Sequence, residues 1–167
     1  MPAKNWYVFY TQSRQEKKVR DLLLRRGYET FLPLQKVMRQ WSDRKKKVEV
    51  PLFSSYIFVY DTEDKVPFIV QTPGIAWSIR YNNKPAILQT SEMETIQRFL
   101  TSGLLLECQP YESLLQNDPV QVVDGPLKGM VGHILKTADG EKFTVVLESI
   151  GQSLQVRIDR RVLKKRP

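Results

Sequence analysis

Residues 43–61 read DRKKKVEVPLFSSYIFVYD, from Asp43 to Asp61. The stretch opens with four consecutive cations, Arg44, Lys45, Lys46 and Lys47. It then becomes a strand-like run bounded by Pro51 and Asp61, with the proline at the strand start, where it loses no ladder hydrogen bond. At a period of two, Tyr56, Phe58 and Tyr60 share one face, and Ile57 and Val59 the other. The aliphatic face is what a sheet needs to pack against helices. The aromatic face requires a second apolar partner, either more core or another molecule.

Working towards the N-terminus, Tyr28–Leu32 reads as a short strand ended by Pro33. The segments 37–41 and 46–50 read as two arms of a polar, basic hairpin around Ser42-Asp43-Arg44. Before them, Trp6–Tyr10 is an aromatic, β-branched run that reads as a strand. Ser13, with Glu16 three residues on, predicts a capping box opening a helix to Arg26, with Gly27 at its C′ position. Val19, Leu22 and Leu23 form its apolar stripe. Arg14, Lys18 and Arg25 lie on another face. Towards the C-terminus, a short helix around Val66–Val70 carries Pro67 in its first turn. Ile75–Tyr81 is a strand followed by an Asn82-Asn83 turn. Ser91 and Glu94 predict a second capping box, opening a helix that stops at Gly103. The order β-α-β-β-β-β-α-β-α gives an α+β layer, with helices on an antiparallel sheet.

The texture changes after residue 103. Residues 104–117 contain Pro110, have weak periodicity and read as a linker. Beyond Asp118, four strand-like runs at about ten-residue spacing predict a small β-barrel, with Asp139-Gly140 as a hairpin turn. The domain expectation is therefore 1–103, a linker 104–117, and 118–167.

Of 167 residues, 41% are hydrophobic, enough for folded cores. No apolar run reaches the roughly 20 residues that span a bilayer. The single Cys108 cannot form an internal disulfide, which points to a cytoplasmic protein without a membrane anchor. The net charge is +8. Residues 1–103 carry 17 Lys/Arg against 10 Asp/Glu, and residues 104–167 carry 9 against 8. This asymmetry predicts a polyanion as a partner of the first part. His133 is the only histidine, so neither a histidine triad nor a multi-histidine metal site can be assembled. DGPLKG lacks the phosphate-loop spacing. No catalytic residue, metal site or cofactor is expected.

Residues 118–132, DPVQVVDGPLKGMVG, resemble the KOW motif: a hydrophobic strand, an Asp-Gly-Pro turn and a following glycine. SIGQSLQV with VLKK after it resembles the rest of a KOW barrel. WYVFYTQSRQEKKV, VPLFSSYIFV and VQTPGI resemble, in order, segments of a NusG N-terminal domain. The resemblance is to the NusG family of transcription elongation factors. The PLFxxYxFV wording and the basic hairpin are similar to its RfaH type. The family usually has Pro-Gly or Pro-Asn after the phenylalanine, whereas Ser54-Ser55 follows Phe53 here.

The resemblance implies an N-terminal-type α+β domain followed by an SH3-like KOW β-barrel, in a monomer. It implies binding to the clamp helices of RNA polymerase through Tyr10, Phe53, Tyr56 and Phe58, with suppression of pausing or termination. Arg14, Lys18, Arg25, Arg26 and the Arg44–Lys47 run would lie near non-template or upstream DNA. The barrel would recruit a ribosomal small-subunit protein or a termination factor through Ile150 and Gly151. A ribosome- or RNA-binding KOW protein with no polymerase role is the alternative.

Overall fold

The computed structural model describes residues 2–110, 119–138 and 140–165. The chain divides into two compact units, Met1–Thr90 and Ser91–Pro167.

In the first unit, β1 (Lys4–Thr11) leads into α1 (Glu16–Arg25) and then β2 (Glu29–Phe31). The hairpin β3 (Leu34–Gln40) and β4 (Lys45–Pro51) follows. After it come β5 (Tyr56–Thr62), α2 (Val66–Val70) and β6 (Ile75–Ser78). The short strands β7 (Arg80–Tyr81) and β8 (Lys84–Pro85) flank the Asn82-Asn83 turn, and β9 (Ile87–Leu88) closes the unit. The sheet has the order β2-β5-β1-β6, with β9 also pairing to β1. The β1–β5 pair is antiparallel and sets Trp6 opposite Tyr60, Val8 opposite Phe58, and Tyr10 opposite Tyr56.

The aliphatic reading of the β5 face holds. Ile57 and Val59 join Tyr7 and Phe9 of β1 in a buried core. Val19 and Leu23 of α1 and Val66 and Ile69 of α2 belong to the same cluster. Alternation in the strands and i, i+4 spacing in the helix produce this layer together.

Local starts differ from expectation. The capping box at Ser13 does not form. The N-cap is Gln15, without a side-chain cap bond, and Arg14 adopts φ 62°. Glu16 is buried instead and accepts the main-chain N–H of Ser55 at 3.0 Å. A tertiary acceptor role has displaced the local one. Pro51 ends β4 rather than starting β5, and Leu52 N–H returns to Pro33 C=O at 2.9 Å.

The second unit begins earlier than the expected boundary. Helix α3 (Thr90–Thr101) starts one residue before Ser91, and almost all of it belongs to this unit. Glu92 accepts Ser149 N–H at 3.2 Å, and Arg98 donates to the carbonyls of Pro126 and Lys128. Part of the expected linker is a strand, β10 (Leu106–Pro110). Residues 111–118, including the remainder of that linker, and Asp139 of the expected hairpin turn lie outside the described residues. The further strands are β11 (Val120–Val122), β12 (Val131–Thr137), β13 (Gly140–Leu147), β14 (Gln152–Val156) and β15 (Leu163–Lys165). They form one antiparallel sheet, ordered β10-β14-β13-β12-β11-β15. It has two more strands than the sequence pattern predicts. Phe143, Leu147, Leu154, Val156 and Leu106 supply buried apolar residues.

In DGPLKG, Gly125 and Gly129 both have positive φ, 88° and 90°, with nothing where a Cβ would sit. Glycine is needed there for backbone conformation, not for space. Gly132 is the reverse case: a Cβ would lie 2.5 Å from Thr144 C=O.

Candidate functional site: an aromatic face and a basic hairpin

The face of the first sheet opposite the aliphatic core carries a continuous aromatic layer. Trp6 meets Tyr60 at 5.2 Å and Phe31 at 6.2 Å between ring centroids. Phe31 meets Phe58 at 6.2 Å, and Phe58 meets Phe53 at 6.1 Å. Phe53 stacks on Tyr56 at 6.4 Å, and Tyr56 meets Tyr10 edge-on at 5.9 Å. Tyr10 then stacks on Trp77 at 4.7 Å, with the planes 6° apart. The register makes this last contact: β1 pairs β6 with Tyr10 opposite Trp77.

Burial divides the layer. Of the four expected contact residues, Phe58 is 0% exposed and Phe53 2%, so both pack as core. Tyr10 and Tyr56 are half-buried. Trp77 is 55% exposed, and the sequence reading missed it. The available signal was the alternation in Ile75–Tyr81, but its neighbour was legible only once the β1–β6 pairing was known. Offset and stacked aromatic pairs hold each other's orientation, so Tyr10 presents Trp77 as a fixed flat surface.

The cations form a second group. Lys18 and Arg25 are exposed on α1, with Arg14 just before it. Arg26 caps α1 and donates to Thr72 Oγ1 at 3.3 Å, so part of its hydrogen-bonding capacity is used internally. Arg44, Lys45, Lys46 and Lys47 are all exposed at the hairpin end and on β4. Two residues outside the expected set join them. Arg39 on β3 stands directly opposite Lys46, and both are exposed. Like charges directly opposite on a ladder repel, so a bound polyanion would relieve a cost that the hairpin carries alone. Lys17 of α1 donates to Glu49 C=O on β4 at 2.7 Å, tying the hairpin to the helix. Met38 and Trp41 are exposed beside these cations, Trp41 at 55%.

In the second unit, Ile150 and Gly151 sit between β13 and β14. Ile150 is 5% exposed, so its side chain is core and does not present an outward contact. Gly151 is exposed at φ 65°. Cys108 donates to Gln152 Oε1 at 3.2 Å, and burial pushes its thiol up to about 12. It remains a neutral, unreactive thiol at ordinary pH. Among the described residues no His/Cys/Asp/Glu group could hold a metal ion, and no helix is long and apolar enough to cross a membrane.

An aromatic layer that ends in an exposed indole and a cationic hairpin, both in the first of the two units, have the character of binding surfaces. The family model described as "Transcription termination factor nusG" matches residues 4–97, and the chain belongs to this family of transcription factors, which are not enzymes. The chain is 26% identical to the transcription termination/antitermination protein NusG of Halalkalibacterium halodurans, covering 93% of this chain and 95% of that one. It is also 26% identical to the protein of that name from Bacillus subtilis, again over 93% of this chain and 95% of the relative. A solved structure described as "Domain interaction in Thermotoga maritima NusG" shares the fold at a TM-score of 0.58 and 19% identity, covering 97% of each chain.

Proposed function

We propose that the protein is a transcription elongation and antitermination factor whose first unit binds the clamp helices of RNA polymerase. The observation that carries the reading is the aromatic layer ending in the exposed Trp77, stacked on the half-buried Tyr10. In this reading Tyr10, Tyr56 and Trp77 make the contact, and Phe53 and Phe58 support them from within. Binding there holds the clamp closed and suppresses pausing or termination. Arg14, Lys18, Arg25 and the Arg44–Lys47 run lie along non-template or upstream DNA, with Arg39 added from the hairpin. Arg26 contributes less, being partly engaged with Thr72. The second unit serves as a KOW-type barrel and recruits a ribosomal small-subunit protein or a termination factor at the Gly151 turn. The factor acts in the cytoplasm, as a monomer.

The test is titration with an isolated polymerase clamp-helix fragment. Truncating an exposed aromatic anchor typically costs about 2 kcal/mol or more, roughly 30-fold in affinity. Tyr56→Ala and Trp77→Ala should each show such a loss while melting near the wild-type temperature. Normal binding by both variants would remove the clamp reading and favour an RNA- or ribosome-binding KOW protein.

A further inference from the structure

Four polar side chains of the second unit are buried together on strand positions that normally face water. Lys142 and Thr144 alternate with Phe143 along β13, and Ser153 and Gln155 alternate with Leu154 and Val156 along β14. All four therefore stand on the face opposite the apolar residues. Gln155 lies between Glu107 of β10 and Thr144 of β13 in the ladder.

Their hydrogen bonds are incompletely filled. The Lys142 side chain is 4% exposed, and its Nζ donates to Glu107 Oε2 at 2.5 Å. An ammonium has three donors, so capacity remains. Gln155 is 1% exposed, and its Nε2 donates to Ser153 Oγ at 3.4 Å. Its Oε1 has no partner. An unfilled buried acceptor is costly, and native structures retain few of them. Glu107, Lys142 and Gln155 line one cavity of about 100 Å³, completed by Leu105, Val156 and Arg157.

The lining specifies its ligand. Lys142 and Arg157 outnumber the one carboxylate, Glu107, so the lining keeps a net positive charge that calls for an anionic oxygen. The vacant Gln155 Oε1 calls for an N–H or O–H beside it. The volume is below the roughly 150 Å³ that admits a benzene ring, so it takes a carboxylate and its methylene rather than a nucleotide. Leu105, 67% exposed, offers an apolar rim. Residues 91–167 carry ten Lys/Arg against ten Asp/Glu, so this unit exerts no net pull on a polyanion. We propose that the cavity receives the carboxylate of an acidic residue on a partner protein, with that residue's main-chain N–H donating to Gln155 Oε1. The site lies near the far end of β14 from Gly151, roughly 17 Å away at 3.3 Å per residue. It is a second contact point, and it stands whether or not the clamp reading holds.

The full chain, labelled with ¹⁵N, would be titrated with N-acetyl-aspartate N-methylamide, its asparagine counterpart and inorganic phosphate. Saturable shifts of the Gln155 side-chain amide and the Arg157 Nε–H signals with the aspartate compound alone are expected. Gln155→Met should abolish the Arg157 Nε–H shift and melt no lower than wild type, because it removes an unfilled acceptor at similar volume. The proposal is overturned by no saturable shift, by equal shifts with the asparagine compound, or by shifts with phosphate only. Clear destabilisation by Gln155→Met would also overturn it, since Gln155 would then be a structural residue.

Discussion

The sheet of the first unit and that of the second each turn one face to an apolar core, but their other faces differ. In the first, the second face is aromatic: Trp6, Phe58 and Tyr56 run along it, and it ends in an exposed indole. In the second, Lys142, Thr144, Ser153 and Gln155 occupy that position and are buried. Charge divides in the same way. The first unit holds 16 Lys/Arg against 8 Asp/Glu, which is the whole net charge of the protein. The second is neutral. The difference teaches that one chain carries two surfaces of unlike chemistry on similar sheets. The first unit carries exposed apolar area and a positive field, suited to burial against a partner and to steering of an anionic one. The second holds a few buried polar groups, of the kind that give selectivity more than attraction.

The comparison breaks most visibly at Phe58. It lies on the same strand face as Tyr56, yet it is fully buried, while Tyr56 is half-buried. Phe58→Ala leaves a cavity and should cost about 3–5 kcal/mol of stability. Denaturant unfolding of Phe58→Ala and Tyr56→Ala side by side should show the first loss to be much the larger. Equal losses would mean that the layer is a single core with no binding surface on it.

That division explains how much of the molecule was legible in sequence. Alternation places Tyr56 and Phe58 on one face without difficulty, because a strand's period is local. It cannot distinguish the buried ring from the presented one, since burial depends on which neighbours the fold brings. Trp77 shows the same limit: its partner Tyr10 is 67 residues away and is reached only through the β1–β6 pairing. Glu16 shows it for polar groups. Three residues after Ser13 it matches a capping box, but a more remote donor, Ser55 N–H, claims its carboxylate. In the second unit, Leu106 and Cys108 alternate as a strand should. The segment reads as a linker because nothing local reveals β14 as its partner. Lys142 and Gln155 were illegible for a stronger reason: polar residues alternating with apolar ones are the ordinary sign of a solvated face.

The charge contrast is sharpened by the hairpin. Replacing Lys45, Lys46 and Lys47 together with alanine should leave the melting temperature nearly unchanged, since all three are exposed. DNA affinity should fall, and so should its dependence on salt. Each phosphate contact contributes about 0.9 to the slope of log K against log salt on duplex DNA and about 0.7 on single strands. Three lost contacts therefore lower the slope by about 2–3. Fluorescence anisotropy across a salt series measures it. An unchanged slope would return the lysines to an ordinary solvated surface and leave the positive field without a partner.

The smallest effect concerns the turn that delivers Tyr56 to the aromatic face. Ser55 precedes β5 with φ 68°, a left-handed conformation that costs a residue with a Cβ about 1–2 kcal/mol. Its backbone is held there from both sides. Its N–H donates to the buried Glu16 carboxylate at 3.0 Å, and its C=O accepts Thr11 N–H at 2.7 Å. The turn is thus fixed by tertiary bonds rather than by the residue's own preference. Glycine adopts this conformation freely but loses more freedom on folding, by about 0.5–1 kcal/mol. Since both main-chain bonds survive the change, Ser55→Gly should stabilise the protein by about 0.5–1 kcal/mol and leave clamp-fragment affinity unchanged. Chemical denaturation with a parallel binding titration tests both halves. A destabilised variant would show that the hydroxyl, not the backbone, holds the turn. A stabilised variant with weaker binding would show that the strain itself sets the pose of Tyr56.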